Sequence, residues 1–197
     1  AVGLDAANPW ARFADASTMV LLNGDTATKT AAIRILEPLV DQVTDHAGPL
    51  FLLAELTWVS AHPEVTFGYL DRAARIPGWT ARAECKRAVI YFWGLGEGQL
   101  SEDSIDRALA IERAAIFLLW KTWLFTSWHG DTAAAKRIIA EIPPARLVED
   151  HAASVRFFAG LRSRDYDGAL AAIRAIPRDY IESLAFSGPT GYFKGIA

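Results

Sequence analysis

The chain of 197 residues has a single cysteine, Cys85, so it closes no internal disulfide and cannot build a structural zinc site from cysteine. Disulfide-stapled scaffolds and cysteine zinc fingers are thereby excluded. An excess of charge is also missing, since 20 Lys+Arg face 23 Asp+Glu for a formal charge of −3. Binding nucleic acid through its phosphates needs surplus cations, so no nucleic-acid partner is expected. Long apolar runs are scarce. The most apolar stretch, Ala114 to Trp128, carries Lys121 and falls short of the roughly 20 residues that cross a hydrocarbon core. It reads as buried helix, and no membrane partner is expected. The only asparagines, Asn8 and Asn23, stand in NPW and NGD, neither an N-glycosylation acceptor. The opening AVGLDAANPW lacks the basic and apolar regions of a secretory signal, so the expected location is cytoplasmic.

What is present is material for a core: 52% of residues are hydrophobic and 22% charged, the balance of a globular chain. Between Gly and Pro punctuation, apolar positions return at three and four rather than alternating, which predicts helices and no strand. Alanine recurs in AAIRIL, DRAARI and TAAAKRIIA, where it favours helix and lets helices approach closely. Breaks at Asn23-Gly24-Asp25, Ala61-His62-Pro63, Gly94 to Gly98, His129-Gly130-Asp131 and Arg164-Asp165 are short, so successive helices fold back on one another.

The helix pairs repeat. Asp131, Ala135, Ile139, Ile142 and Pro143 are followed 34 residues later by Asp165, Ala169, Ile173, Ile176 and Pro177, and Phe158 and Tyr192 keep the same offset. Asp131 and Asp165 read as N-caps, their carboxylates accepting from the first free N–H groups of a helix. Ala135 and Ala169 allow a close partner helix, the isoleucines form an i, i+3 stripe, and the prolines end the hairpin. The expected hairpins are about 9–43, 46–76, 78–111, 112–143 and 145–177, with a further helix starting within 178–197.

A helix, a short Gly-Asp turn and a second helix closed by proline, at a period of 34, resemble the tetratricopeptide repeat. NPWARFADASTMVLLNGD is similar to its first helix and turn, GPLFLLAELTW to another first helix, and GDTAAAKRIIAEIP and RDYDGALAAIRAIP to second helices. The middle unit departs from the pattern, with Leu109-Ala110-Ile111 in place of the closing proline and an expanded turn at GLGEGQLSE. The resemblance implies an all-α fold, a right-handed superhelix of about five hairpins forming one domain over 1–197. Neither end carries a polar capping repeat, so the chain is expected to be cut from a longer protein, and its open ends are expected to allow a homodimer. RDYDGALAAIRAIP also resembles repeat regions that trail cyclase-like, TolB-like or winged-helix regulators of bacterial type.

Groups that would carry catalysis do not converge along the chain. His46, His62, His129 and His151 are isolated, without HExxH or an i, i+4 pair, and the first three fall at turns as solvated or capping residues. Glu102-Asp103 and Glu149-Asp150 are placed at helix starts, where carboxylates complement the helix dipole. Gly94-Leu95-Gly96-Glu97-Gly98 lacks the Lys and Ser/Thr of a phosphate loop and reads as a long turn, and Cys85 as a small packing residue. No catalytic residue, metal or cofactor is expected.

Aromatic content stands out, with seven Trp, of which Trp79, Trp93, Trp120, Trp123 and Trp128 lie in the middle units. Large rings ordinarily fill the wedge between alanine-rich helices; the sharper alternative is that some line a concave groove. Arg82, Lys86, Arg113, Lys121 and Arg156, placed on first helices, together with Trp120 are the candidates to present donors and a flat ring to a peptide or carboxylate. The leading expectation is a non-catalytic scaffold that binds a protein or peptide, or another domain of its own chain. A sensory domain taking a small ligand in the aromatic middle is the alternative, and an α-helical enzyme is the third.

Overall fold

The structure, a computed structural model, describes residues 8–22, 25–58, 63–146 and 150–175. Three of its helices start at an aspartate. The Asp25, Asp131 and Asp165 carboxylates accept from the backbone N–H of Thr28, Ala134 and Gly168 at 2.7, 2.8 and 2.9 Å. Each satisfies a donor that a helix start leaves without an intrahelical acceptor. Proline does the same job by another route at Pro9, Pro49 and Pro63, in the opening turn of a helix where its missing N–H costs nothing.

Among the described residues there are ten α-helices and no strand: α1 Pro9–Leu22, α2 Thr26–Leu36, α3 Gly48–Thr57, α4 Pro63–Ala74, α5 Thr80–Ile90, α6 Gly98–Ile111, α7 Ala115–Leu124, α8 Thr132–Ala140, α9 Asp150–Arg162 and α10 Tyr166–Arg174. The fold is all-α. None of these helices is long and apolar enough to cross a membrane.

The chain divides into two compact units, Ala1–Ile111 and Glu112–Ala197. In the first, α1 packs on α2, α3 on α4 and α5 on α6, and α4 also meets α5. Its core gathers Ala16, Leu36, Leu39, Leu53, Ala73 and Ala83, all fully buried. The small members let neighbouring helices close in, and the leucines fill what remains. Two polar contacts lie inside this packing: the Thr57 and Thr66 hydroxyls meet at 3.0 Å between α3 and α4, and Ser101 Oγ donates to the Ala88 carbonyl at 2.7 Å between α6 and α5. In the second unit α7 packs on α8, α9 on α10 and α7 on α9. Phe157 is buried there against Ala153, Ala169, Ala172 and Ile173.

Helix ends repeat as well as helix starts. Gly96, Gly130 and Arg164 adopt left-handed backbone, with φ of 71°, 69° and 57°, and each stands 34 residues from the next. Before Gly96 and Gly130 the helix widens into a π-type turn, Tyr91–Leu95 and Phe125–His129, and the N–H after each glycine reaches back to the Tyr91 and Phe125 carbonyls. An acidic residue follows directly in all three cases: Glu97, Asp131 and Asp165. Glycine meets the steric demand of the left-handed region at no cost, whereas Arg164 holds that conformation with a Cβ.

Two local expectations change. The segment Gly94 to Gly98 is not one long turn, because the widened turn carries α5 on to Leu95 and Gly98 already opens α6. As a result Glu102 and Asp103 lie in the second turn of α6 rather than at its start, and Asp103 accepts from the Gln99 amide at 3.0 Å. Ile176, Pro177 and Tyr192 of the last repeat, the turn residues Asn23, Gly24 and His62, and Glu149 lie outside the described residues.

Candidate functional site

Trp10 in the first turn of α1, His46 just before α3 and Trp79 just before α5 each stand at the head of the first helix of a hairpin. Their rings form a column in the first unit. His46 lies edge-on between the two indoles, with centroids 5.1 Å from Trp10 and 4.5 Å from Trp79. Phe13 extends the column beside Trp10 at 6.1 Å, and Phe51 flanks Trp79 at 5.6 Å. Edge-to-face packing sets the positive rim of one ring against the negative face of the next. His46 Nδ1 accepts from the Gly48 N–H at 3.0 Å, which satisfies a free donor at the start of α3.

The Arg82 guanidinium lies over the Trp79 ring with its central carbon 5.1 Å from the centroid. Trp79 is the residue preceding α5, so Arg82 one turn later reaches back onto it. Arg82 itself is exposed and Trp10 is 44% exposed, so both ends of the column reach solvent, one with a ring and the other with a cationic donor. A guanidinium stacked on an indole still directs its N–H groups outward in the plane, where they match a carboxylate.

The other candidates fall differently. Lys86, one turn beyond Arg82, places its ammonium 2.7 Å from Glu55 and so ties α5 to α3. Arg113 is not on a first helix, as expected from the sequence, but in the link before α7, because Ala114 is extended and α7 begins only at Ala115. There Arg113 is exposed and pairs with Glu141. Trp120 and Lys121 are half-buried on α7, the Lys121 ammonium lying 5.8 Å from the Phe125 centroid. Arg156 is half-buried on α9. Arg82 and Lys86 belong to the first unit and the other four to the second.

Trp rings divide between wedge and surface. Trp123 packs edge-on against Phe158 at 5.3 Å, while Trp93 and Trp128 are 52% and 50% exposed on the two widened turns. His129 is exposed beside Phe125, and His151 is in α9. Among the described residues no group of three His, Cys, Asp or Glu is placed to hold a metal ion. Cys85 is buried, and burial pushes its thiol up to about 12. The Asp165 carboxyl is held below its ordinary range, first by the Gly168 N–H and then by Lys136, 3.5 Å away.

The Trp10–His46–Trp79 column is barely legible in the sequence. Its one available signal was phase: the three residues are spaced by 36 and 33, close to the repeat, but they differ in type and so do not align as identities. The chain matches no family model, no curated protein and no solved structure.

Proposed function

We propose that this protein is a non-catalytic, tetratricopeptide-like repeat scaffold that binds a peptide or partner domain across the heads of its first helices. The observation that carries this is the column of Trp10, His46 and Trp79 with Arg82 stacked at its edge. Three successive hairpins supply one ring each from near the start of the first helix, and a repeat protein builds an extended recognition surface from such successive contributions. Rings packed edge to face offer apolar contact at low entropic cost, and the guanidinium selects a carboxylate. The left-handed helix ends at a spacing of 34 support the repeat, and the right-handed superhelix of five hairpins follows from it as part of the same proposal.

Selection of a random peptide library on the purified chain tests this. Selected peptides are expected to carry an acidic group beside an aromatic or branched residue, and to bind Arg82→Glu and Trp10→Ala at least about tenfold more weakly, the loss typical of an anchoring contact. Peptides that bind both variants as they bind the parent would overturn it. A second reading, a sensory domain for a small planar acid, draws on the same column; it predicts a ligand-dependent rise in melting temperature that Trp79→Ala removes.

A further inference from the structure

The turn that joins α5 to α6 exposes apolar surface away from the ring column. Trp93 is 52% exposed, Leu95 41% and Leu100 44%, all within eight consecutive residues of the widened turn and the first turn of α6. Such a turn breaks the regular ladder and is frequent at functional places. Three large side chains left this open within eight consecutive residues are a local concentration of exposed apolar surface. From residue 91 to 106 the chain carries Glu97, Glu102, Asp103 and Asp106 with no lysine or arginine, and the cation that follows, Arg107, is engaged by Glu84 at 2.9 Å. Glu97 and Asp103 lie three residues on either side of Leu100, within reach of a group seated on it.

We infer that this tip, Trp93, Leu95 and Leu100 within its carboxylate rim, docks a cationic amphipathic helical segment of a partner protein. Leucine-like side chains of the segment cover the three apolar groups, and its lysines or arginines meet Glu97 and Asp103. The footprint favours a segment over a second copy of the chain: three half-exposed side chains offer on the order of a few hundred Å², well below the roughly 800 Å² per partner of a stable interface. The charge disfavours a membrane, since the rim repels anionic lipid. This inference is independent of the ring column, which involves the opposite end of α5 and attracts the opposite charge.

The probe is a fluorescein-labelled peptide of leucine and lysine, about 14 residues long, with leucines spaced i, i+3, i+4, i+7, beside an isomer whose shuffled leucines share no face. In anisotropy titrations the ordered peptide is expected to bind at least about tenfold more tightly than the shuffled one. Trp93→Ser and Leu100→Ser are each expected to weaken it about tenfold, Glu97→Lys/Asp103→Lys to weaken it and flatten its salt dependence, and Arg82→Glu to leave it unchanged. Circular dichroism and melting establish that each variant is folded, and either serine variant suffices alone. Equal binding of the two peptides, no binding, or undiminished binding by the folded serine variants overturns the inference. So does stronger binding to phosphatidylserine vesicles than to the peptide, or self-association that Trp93→Ser abolishes, either of which assigns the tip to another occupant.

Discussion

Cys85 shows how a single buried group reports on the fold. The chain's only thiol sits on α5 among packed helices, where water cannot stabilise the thiolate, and its proton is held to about pH 12. In the unfolded chain the thiol ionises near its ordinary value of about 8.5. Between those values the unfolded chain binds fewer protons than the folded one, so this contribution to stability is complete below about pH 8.5 and is lost as pH rises toward 12. Urea midpoints measured at neutral and strongly alkaline pH are expected to fall for the parent and to fall less for Cys85→Ala. A thiol reagent at mildly alkaline pH is expected to label the folded chain on the order of a thousandfold more slowly than the urea-unfolded chain. Asp165 acts in the opposite sense, since the Gly168 N–H and Lys136 favour its charged form, and the α10 cap weakens as that carboxylate takes up a proton.

At the scale of the element, two glycines in helices have opposite surroundings. A Cβ added at Gly68 on α4 meets nothing within 4 Å, whereas one at Gly160 on α9 would stand 2.9 Å from the Ala169 nitrogen and 3.0 Å from its Cβ on α10. Gly68→Ala is therefore expected to raise stability by about 0.5–1 kcal/mol through helix propensity alone. Gly160→Ala gains the same propensity and still loses net stability, by about 1–3 kcal/mol, because α10 backbone must move away. Thermal and urea unfolding of the two variants check the sign as well as the size. Helix starts at Asp131 and Asp165 were legible in the sequence because a cap spans only four consecutive residues. The end of α5 was not: glycines at 94, 96 and 98 signal a break, but nothing local says that the helix first widens and runs on to Leu95.

Over the whole molecule, contacts gather into two units, each with buried apolar residues of its own. Leu53 is fully buried in the first. Leu53→Ala is expected to cost about 2–5 kcal/mol, and hydrogen exchange followed by mass spectrometry should show protection falling across α1 to α6 while α9 and α10 keep theirs. Equal loss in both units would mean that they unfold as one. The ion pairs show the same long-range organisation: Lys86 with Glu55 and Arg72 with Asp41, both at 2.7 Å, join residues 31 apart. Exposed pairs of this kind contribute little energy; their value here is in showing which candidate cations are already engaged within the fold.

The all-α class, the absence of a strand among the described residues, and the caps at Asp131 and Asp165 were determined by sequence alone. They arise from sterics, apolar periodicity and hydrogen bonds that act within about one helical turn, and composition and spacing carry that information directly. Only the tertiary structure decided that His46 stands between Trp10 and Trp79, that Lys86 is paired with Glu55, and that Arg113 lies off its helix against Glu141. Those outcomes depend on the rotation of each helix about its axis and on packing between hairpins about 30 residues apart. A shift of one residue turns a helical side chain by about 100°, so repeat phase known only to within a few residues leaves open which face each candidate side chain occupies.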